Sequence, residues 1–278
     1  MSIHVPMRPA LFLRHAVLLM TSAIILLPFI WMVSLSIKPP GEMFGDHFSF
    51  LPTQFYGVEN YTQALTRVPL LRYMLNGVIV CTAILTLQIL VCAPMAYVLA
   101  KMRFPGRELI FALVLIALLL PHEVLALPLF IFASKVGILN SYAALVLPYI
   151  VSPFGIFLFR QFFKAIPDDV VHAARLDGLS EFAIIWKIMV PMTMPAVVAF
   201  SIFSVVGHWN SLFWPLIAVN DASLLPPPVG IIAFKNQDVG VDYGPLMAAA
   251  TIVVLPLIVA FLSSQRLFIE SITRGAIK

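Results

Sequence analysis

Charge is what this sequence has least of. Asp, Glu, Lys and Arg make up 11% of its 278 residues against 61% hydrophobic, and the mean hydropathy is +1.01. That balance excludes a soluble globular domain. Cysteine is nearly absent. Cys81 and Cys92 stand eleven residues apart in one apolar run, about 16 Å along a helix, which is far beyond disulfide reach. They read as small core residues without a redox or metal role. No Gly-x-x-x-x-Gly-Lys-Ser/Thr occurs, so the chain has no loop to cradle ATP phosphates. His122-Glu123 begins like a zinc-protease motif, but Ala126 stands where the second histidine is needed. No Gly-x-Ser-x-Gly elbow is present and no histidines pair at ligand spacing, so neither a catalytic residue, a metal nor a cofactor is expected. Low-complexity segments and internal repeats are also missing.

What is there is apolar and long. A spanning helix needs about 20 apolar residues, and six stretches qualify, near 15–37, 74–100, 109–133, 141–163, 193–219 and 246–265. Short alternating strands are absent, so the sequence predicts an all-α polytopic membrane protein with six transmembrane helices. The first stretch is too long for a signal-peptide core and has no small-residue cleavage site, so it is expected to remain as a helix. Prolines interrupt the runs at 28, 94, 121, 128, 148, 153, 195, 215 and 256. In lipid such breaks persist where neighbouring helices or cavity water satisfy the freed carbonyls, which predicts kinked, cavity-lining helices. With the N-terminus in the cytosol, twelve of the 17 Lys and Arg fall on that side and five on the other, the positive-inside pattern. Both termini and the segment 164–191 are then cytosolic, and the net charge of +4 requires no nucleic-acid partner.

The segment 164–191 is a polar island between two long apolar runs. Pro167 suits a first helical position, and Asp168 and Asp169 put negative charge in the first turn, where the helix dipole favours it. Gly178 supplies a left-handed stop, and Ser180 with Glu181 restarts a second helix that is expected to end before Pro191. Ala173 and Ala174 leave the first helix a low surface for the approach of another protein.

The pattern His172-Ala173-Ala174, three residues, Gly178, then Ile188 and Pro191, resembles the EAA loop of bacterial ABC-importer permeases. Phe104-Pro105-Gly106, the run Leu158 to Phe163, Trp209-Asn210 with Trp214-Pro215, and the tail Thr273 to Lys278 resemble the carbohydrate-uptake branch, the maltose-type and glycerol-3-phosphate-type permeases. The likeness runs from about Asn76 to the end. It departs at His172, where the family usually has Glu. The resemblance implies that His172, Ala173, Ala174, Asp177 and Gly178 form a coupling helix docked in an ATPase subunit. It also implies a second permease subunit, two ATP-binding subunits, an extracytoplasmic solute-binding protein and a bacterial inner-membrane location. A sugar or sugar derivative is the expected cargo, with a glycerol-3-phosphate or glycerophosphodiester importer as the alternative. An ion-coupled secondary transporter using His122 and Glu123 is the rival from another class.

The expected organisation is an anchor helix and outer loop over 1–71, a permease core over 72–268 and a tail over 269–278. A short helix is expected near 58–66. The last outer loop, Asn220 to Gly244, has Pro226, Pro227 and Pro228 with three glycines and is expected to be structured. By the resemblance, it corresponds to the loop that reaches into the binding protein. For the substrate path the candidates are Glu123, His122, Trp209, Asn210 and Trp214. Counted at 1.5 Å per residue from Glu108 and from Thr193, Glu123 and Trp209-Asn210 fall at nearly one level in the outer half of the membrane.

Overall fold

The computed structural model describes residues 9–43, 49–236 and 240–276. The side chain of His122 and the tail residues Ile277 and Lys278 lie outside the described residues. Helix α1 runs Pro9–Ser36 and α2 Gly57–Thr66, the latter close to the short helix expected at 58–66. Next come α3 (Leu70–Lys101), α4 (Arg107–Leu119), α5 (Ala126–Val136), α6 (Tyr142–Val146) and α7 (Pro153–Ala165). The polar island holds α8 (Asp168–Leu176) and α9 (Glu181–Ile184), a π turn over Ile185–Met189, and α10 (Val190–Met192). Then follow α11 (Met194–Trp209), α12 (Phe213–Ala218), α13 (Pro227–Ile231), a two-residue antiparallel pairing of Lys235–Asn236 with Gly240–Val241, and α14 (Tyr243–Ala276).

The protein is all-α, and three helices are long and apolar enough to cross a membrane: Leu13–Ser36, Leu70–Lys101 and Tyr243–Ser263. Two of the other expected spans are bent pairs, and a third bent pair joins Glu181–Met192 to Met194–Trp209 where a span over 193–219 was expected, so the number of spans among the described residues lies between three and six. Proline accounts for each bend. Leu120, just before Pro121, is extended (φ −82°, ψ 122°), because the proline ring disfavours helical geometry in the residue before it. The chain turns by 94° between α4 and α5. Pro148 and Pro153 accompany the 43° bend before α7. Pro195 has no N–H to offer the Pro191 carbonyl, and the axis turns by 83° at Thr193. Glu123 therefore does not continue the axis of α4, and its level cannot be counted along one helix from Glu108.

The chain divides into two compact units, Met1–Pro69 with Ile231–Val254 and Leu70–Gly230 with Leu255–Lys278. In the first, α1 exposes its apolar side chains along most of its length, the surface of a helix facing lipid or a partner. Buried Asn60 on α2 donates to the carbonyls of Ser36 (3.0 Å) and Lys38 (2.9 Å), so one amide satisfies two carbonyls left free at the end of α1. Lys38, itself buried, lies 4.8 Å from the Trp31 ring centre and donates to the Ser49 carbonyl. Arg67 pairs with Asp242 at 2.5 Å.

In the second unit α3 is the central helix, packed against α7 and α11. Between lipid-facing helices there is no hydrophobic driving force, so small residues and polar ties must hold them together. Both are present. Cys92, Ala93, Ala96 and Ala196 are fully buried beside Tyr97, Phe159 and Phe200. Arg160, 4% exposed, donates from Nε to the Leu99 carbonyl at 3.1 Å and lies 3.6 Å from the Phe111 ring centre. A second cluster gathers Val80, Ile84, Leu145 and Trp214.

Candidate functional site

Two sites emerge in the second unit, the polar connector and a cavity.

Pro167 is the N-cap of α8, one place earlier than the sequence suggested, with Asp168 and Asp169 in the first turn. The Lys101 ammonium reaches both Asp168 (2.5 Å) and the Ile166 carbonyl (2.5 Å), and holds the Asp168 carboxyl below the usual carboxylate range. At the other end Asp177 is the C-cap and Gly178 has φ +81°. The Gly178 N–H donates to the Arg175 carbonyl (3.0 Å) and the Leu179 N–H to the Ala174 carbonyl (3.1 Å). These two bonds form a Schellman ending, which needs the left-handed residue. Ser180 caps α9 by accepting from the Ala183 N–H at 3.2 Å, as its position predicts. The second helix does not end before Pro191. It widens into the π turn and continues to Met192, because the wider turn relieves the clash of the proline ring with the carbonyl four residues back.

Burial divides α8 into two faces. Val171 and Ala174 are turned inward among Tyr97, Phe163, Ile184 and Met189. Ala174, expected on the open surface, is therefore a packing residue that lets α8 lie close to the chain's own core. His172, Ala173, Asp177 and Gly178 are exposed, together with Asp169. Leu176 is 89% exposed and Phe182 is 66% exposed. The sequence reading missed both, although an apolar residue in the last turn of a polar surface helix is the available signal. Glu181 locks this arrangement. Its carboxylate accepts from Arg175 Nε (2.7 Å) and Nη2 (3.2 Å) and from the Tyr97 hydroxyl (2.5 Å).

The cavity holds about 620 Å3, the size of a small-molecule site. Glu123, Asn210 and Trp214 line it, so three of the five path candidates come together. Trp214 is anchored, its indole Nε1 donating to the Ala144 carbonyl at 2.8 Å. Asn210 is exposed and its amide donates to the Val206 carbonyl at 2.8 Å. Trp209 is not among the lining residues. It is 3% exposed and packs against Gly77, where an added Cβ would meet the ring at 3.1 Å. The side chain of His122 lies outside the described residues.

Sequence reasoning passed over the polar wall of this cavity. Gln88, 4% exposed, donates to the Tyr149 carbonyl (2.8 Å), contacts His208 Nε2 (3.2 Å) and accepts from the Ser204 hydroxyl (2.6 Å). The His208 ring lies against Tyr149, with ring centres 4.6 Å apart. A lone Gln inside an apolar run was the sequence signal, since a buried amide must find partners. Among the described residues, no group of His, Cys, Asp or Glu is placed to hold a metal ion.

Residues 92–274 match the family of the binding-protein-dependent transport system inner membrane component. The diacetylchitobiose uptake system permease protein of Streptomyces coelicolor is 34% identical over 269 residues, covering 96% of this chain and 88% of that protein. The arabinooligosaccharides transport system permease protein of Bacillus subtilis is 31% identical, covering 94% and 93%. The sn-glycerol-3-phosphate transport system permease protein of Brucella abortus is 31% identical, covering 85% and 84%. In fold, the chain is similar to one in the crystal structure of a bacterial ABC transporter involved in the import of the acidic polysaccharide alginate. The TM-score is 0.80 at 20% identity, and the match covers 96% of this chain and 99% of that one.

Proposed function

The chain belongs to the family of binding-protein-dependent transport system inner membrane components, and on that premise we propose that it forms half of the translocation pathway of an ATP-driven oligosaccharide importer. The observation that carries this reading is the α8–α9 connector. It is a short helix with a sharp Schellman stop and an ion-paired base, and it exposes an apolar tip to water. A rigid projection of this kind suits insertion into a partner that moves. The chain carries no phosphate-binding motif, so the hydrolysis driving that motion belongs to a separate pair of ATP-binding subunits.

The mechanism follows from that division of labour. ATP binding draws the two ATPase subunits together, and the displacement enters this chain at Leu176, Ala173 and His172. Arg175, Glu181 and Tyr97 pass it to the end of α3, and the helices around α3 rock between inward-open and outward-open states. In this reading both termini and the connector are cytosolic, and the core covers 72–268. A second, different permease supplies the facing half of the path. A solute-binding protein delivers cargo on the far side, where the Asn220–Gly244 loop contacts it. Glu123, Asn210 and Trp214 face the passing substrate.

An oligosaccharide is supported by the diacetylchitobiose and arabinooligosaccharide relatives and by a wall that pairs aromatic rings with amide and hydroxyl groups. The sn-glycerol-3-phosphate relative supports the alternative cargo. The family assignment removes the ion-coupled secondary carrier. The test is purification of the chain with its associated subunits, reconstitution in vesicles, and ATP-dependent uptake measured against neutral oligosaccharides and glycerol-3-phosphate. Uptake of an oligosaccharide, absent without ATP, is the expected result. Energy-independent or proton-driven uptake would overturn the reading.

A further inference from the structure

The charge on the cavity wall has one sign. Glu123 is the ionisable acid among the described lining residues, and no Lys or Arg lines the cavity among them. The remaining basic group on the wall is His208, and its contact with Gln88 fixes its state. Gln88 donates from Nε2 to the Tyr149 carbonyl, which can only accept, while Ser204 donates to Gln88 Oε1. Both contacts fix the amide with its nitrogen toward His208. An amide nitrogen cannot accept, so His208 Nε2 must. The ring proton then sits on Nδ1 and the imidazole is uncharged. The other polar groups on the wall, Ser152, Ser211 and Asn210, are neutral.

We propose that Glu123 makes this half of the pathway a charge filter, passing neutral and cationic saccharides and disfavouring anionic ones such as sugar phosphates and uronates. The inference deepens the importer reading and rests on it. Glu123 stands exposed on the cavity wall, and a cleft lined by one sign of charge focuses its field on whatever enters. Gln88 is a positioning residue in this account, since it keeps His208 from supplying a compensating positive charge.

The test reads local potential and needs no knowledge of the cargo. Asn210→Cys places a thiol on the same wall. The buried native cysteines, Cys81 and Cys92, give the background in the parent chain. In membranes holding the assembled complex, this thiol is modified by a cationic trimethylammonioethyl and by an anionic sulfonatoethyl methanethiosulfonate. The ratio of the two rates is divided by the same ratio for a free thiol. A cation preference of about fivefold is expected, the effect on reagents of opposite sign of one charge about 9 Å away in water. Glu123→Gln should bring the ratio close to that of the free thiol, and Glu123→Asp should retain it. A ratio unchanged by Glu123→Gln, or no modification at position 210 by either reagent, would overturn the proposal. Coupled uptake in the unmodified complex reports separately on the importer reading.

Discussion

The Tyr97 hydroxyl donates to Glu181 Oε2 at 2.5 Å, joining the end of the central helix α3 to the second helix of the connector. Arg175 completes the triangle from the last turn of α8, with Nη2 3.5 Å from the same phenolic oxygen. Three elements that must move together are thus tied by one carboxylate. Tyr97→Phe should cost about 1.5–3 kcal/mol of local stability, the range for a hydrogen bond to a charged group. Glu181→Gln should weaken both ties. In reconstituted vesicles each variant should hydrolyse ATP yet transport less per ATP consumed, and a normal uptake-to-hydrolysis ratio would count against the tie.

Gly178 concerns geometry alone. An added Cβ meets no atom within 4 Å, so any effect of substitution comes from φ +81°. Gly178→Val should cost about 1–2 kcal/mol and misdirect α8. Membrane insertion should be normal while stimulation of the ATPase by loaded binding protein falls. Gly178→Asn, which tolerates the left-handed region better, should lie between the two.

Leu176 and His172 share the exposed face of α8. Leu176 is 89% exposed, so Leu176→Ser should leave the chain's thermal unfolding nearly unchanged, whereas assembly with the ATP-binding subunits should weaken tenfold or more. His172→Glu restores the family's usual residue and should assemble normally. Co-purification yield across a salt series reads both variants.

Asp168 gives a pH dependence with a definite sign. Its hydrogen bond from Lys101 holds its pKa below the ordinary value of 3.8, so the folded state favours the ionised form. The stabilisation is fully present above 3.8 and is lost as pH falls through the lowered folded value. Hydrogen exchange of residues 168–176 should therefore be flat from pH 7 to pH 5, after correction for intrinsic rates, and rise in acid. Asp168→Asn should exchange faster at neutral pH and lose that acid dependence.

Much of the connector was legible because its signals are local. Asp168 and Asp169, Gly178 and Ser180 act within a few residues, and each does in the structure what its chemistry requires. Ala174 was misread because the sequence did not reveal which side of a nine-residue helix meets the core. The spans were legible as apolar runs, but their bends were not measurable. Pro121 and Pro195 announce a break without giving an angle, so the count along one helix from Glu108 to Glu123 does not hold, while α11 runs unbroken to Trp209. The cavity was half legible. Glu123, Asn210 and Trp214 stand out as polar or aromatic groups, whereas Gln88 and Ser204 acquire meaning only when α3 and α11 are brought side by side.

The central claim is that the tip of α8 is where this chain meets a moving ATPase. Leu176→Cys in the purified complex, treated with a short thiol cross-linker, tests it most directly, with Leu119→Cys at the exposed end of α4 as control. The account predicts a cross-link from position 176 to an ATP-binding subunit, with a yield that changes between nucleotide-free and ATP-bound states, and none from position 119. An intact, hydrolysing complex that gives no cross-link from position 176 in either state would contradict it.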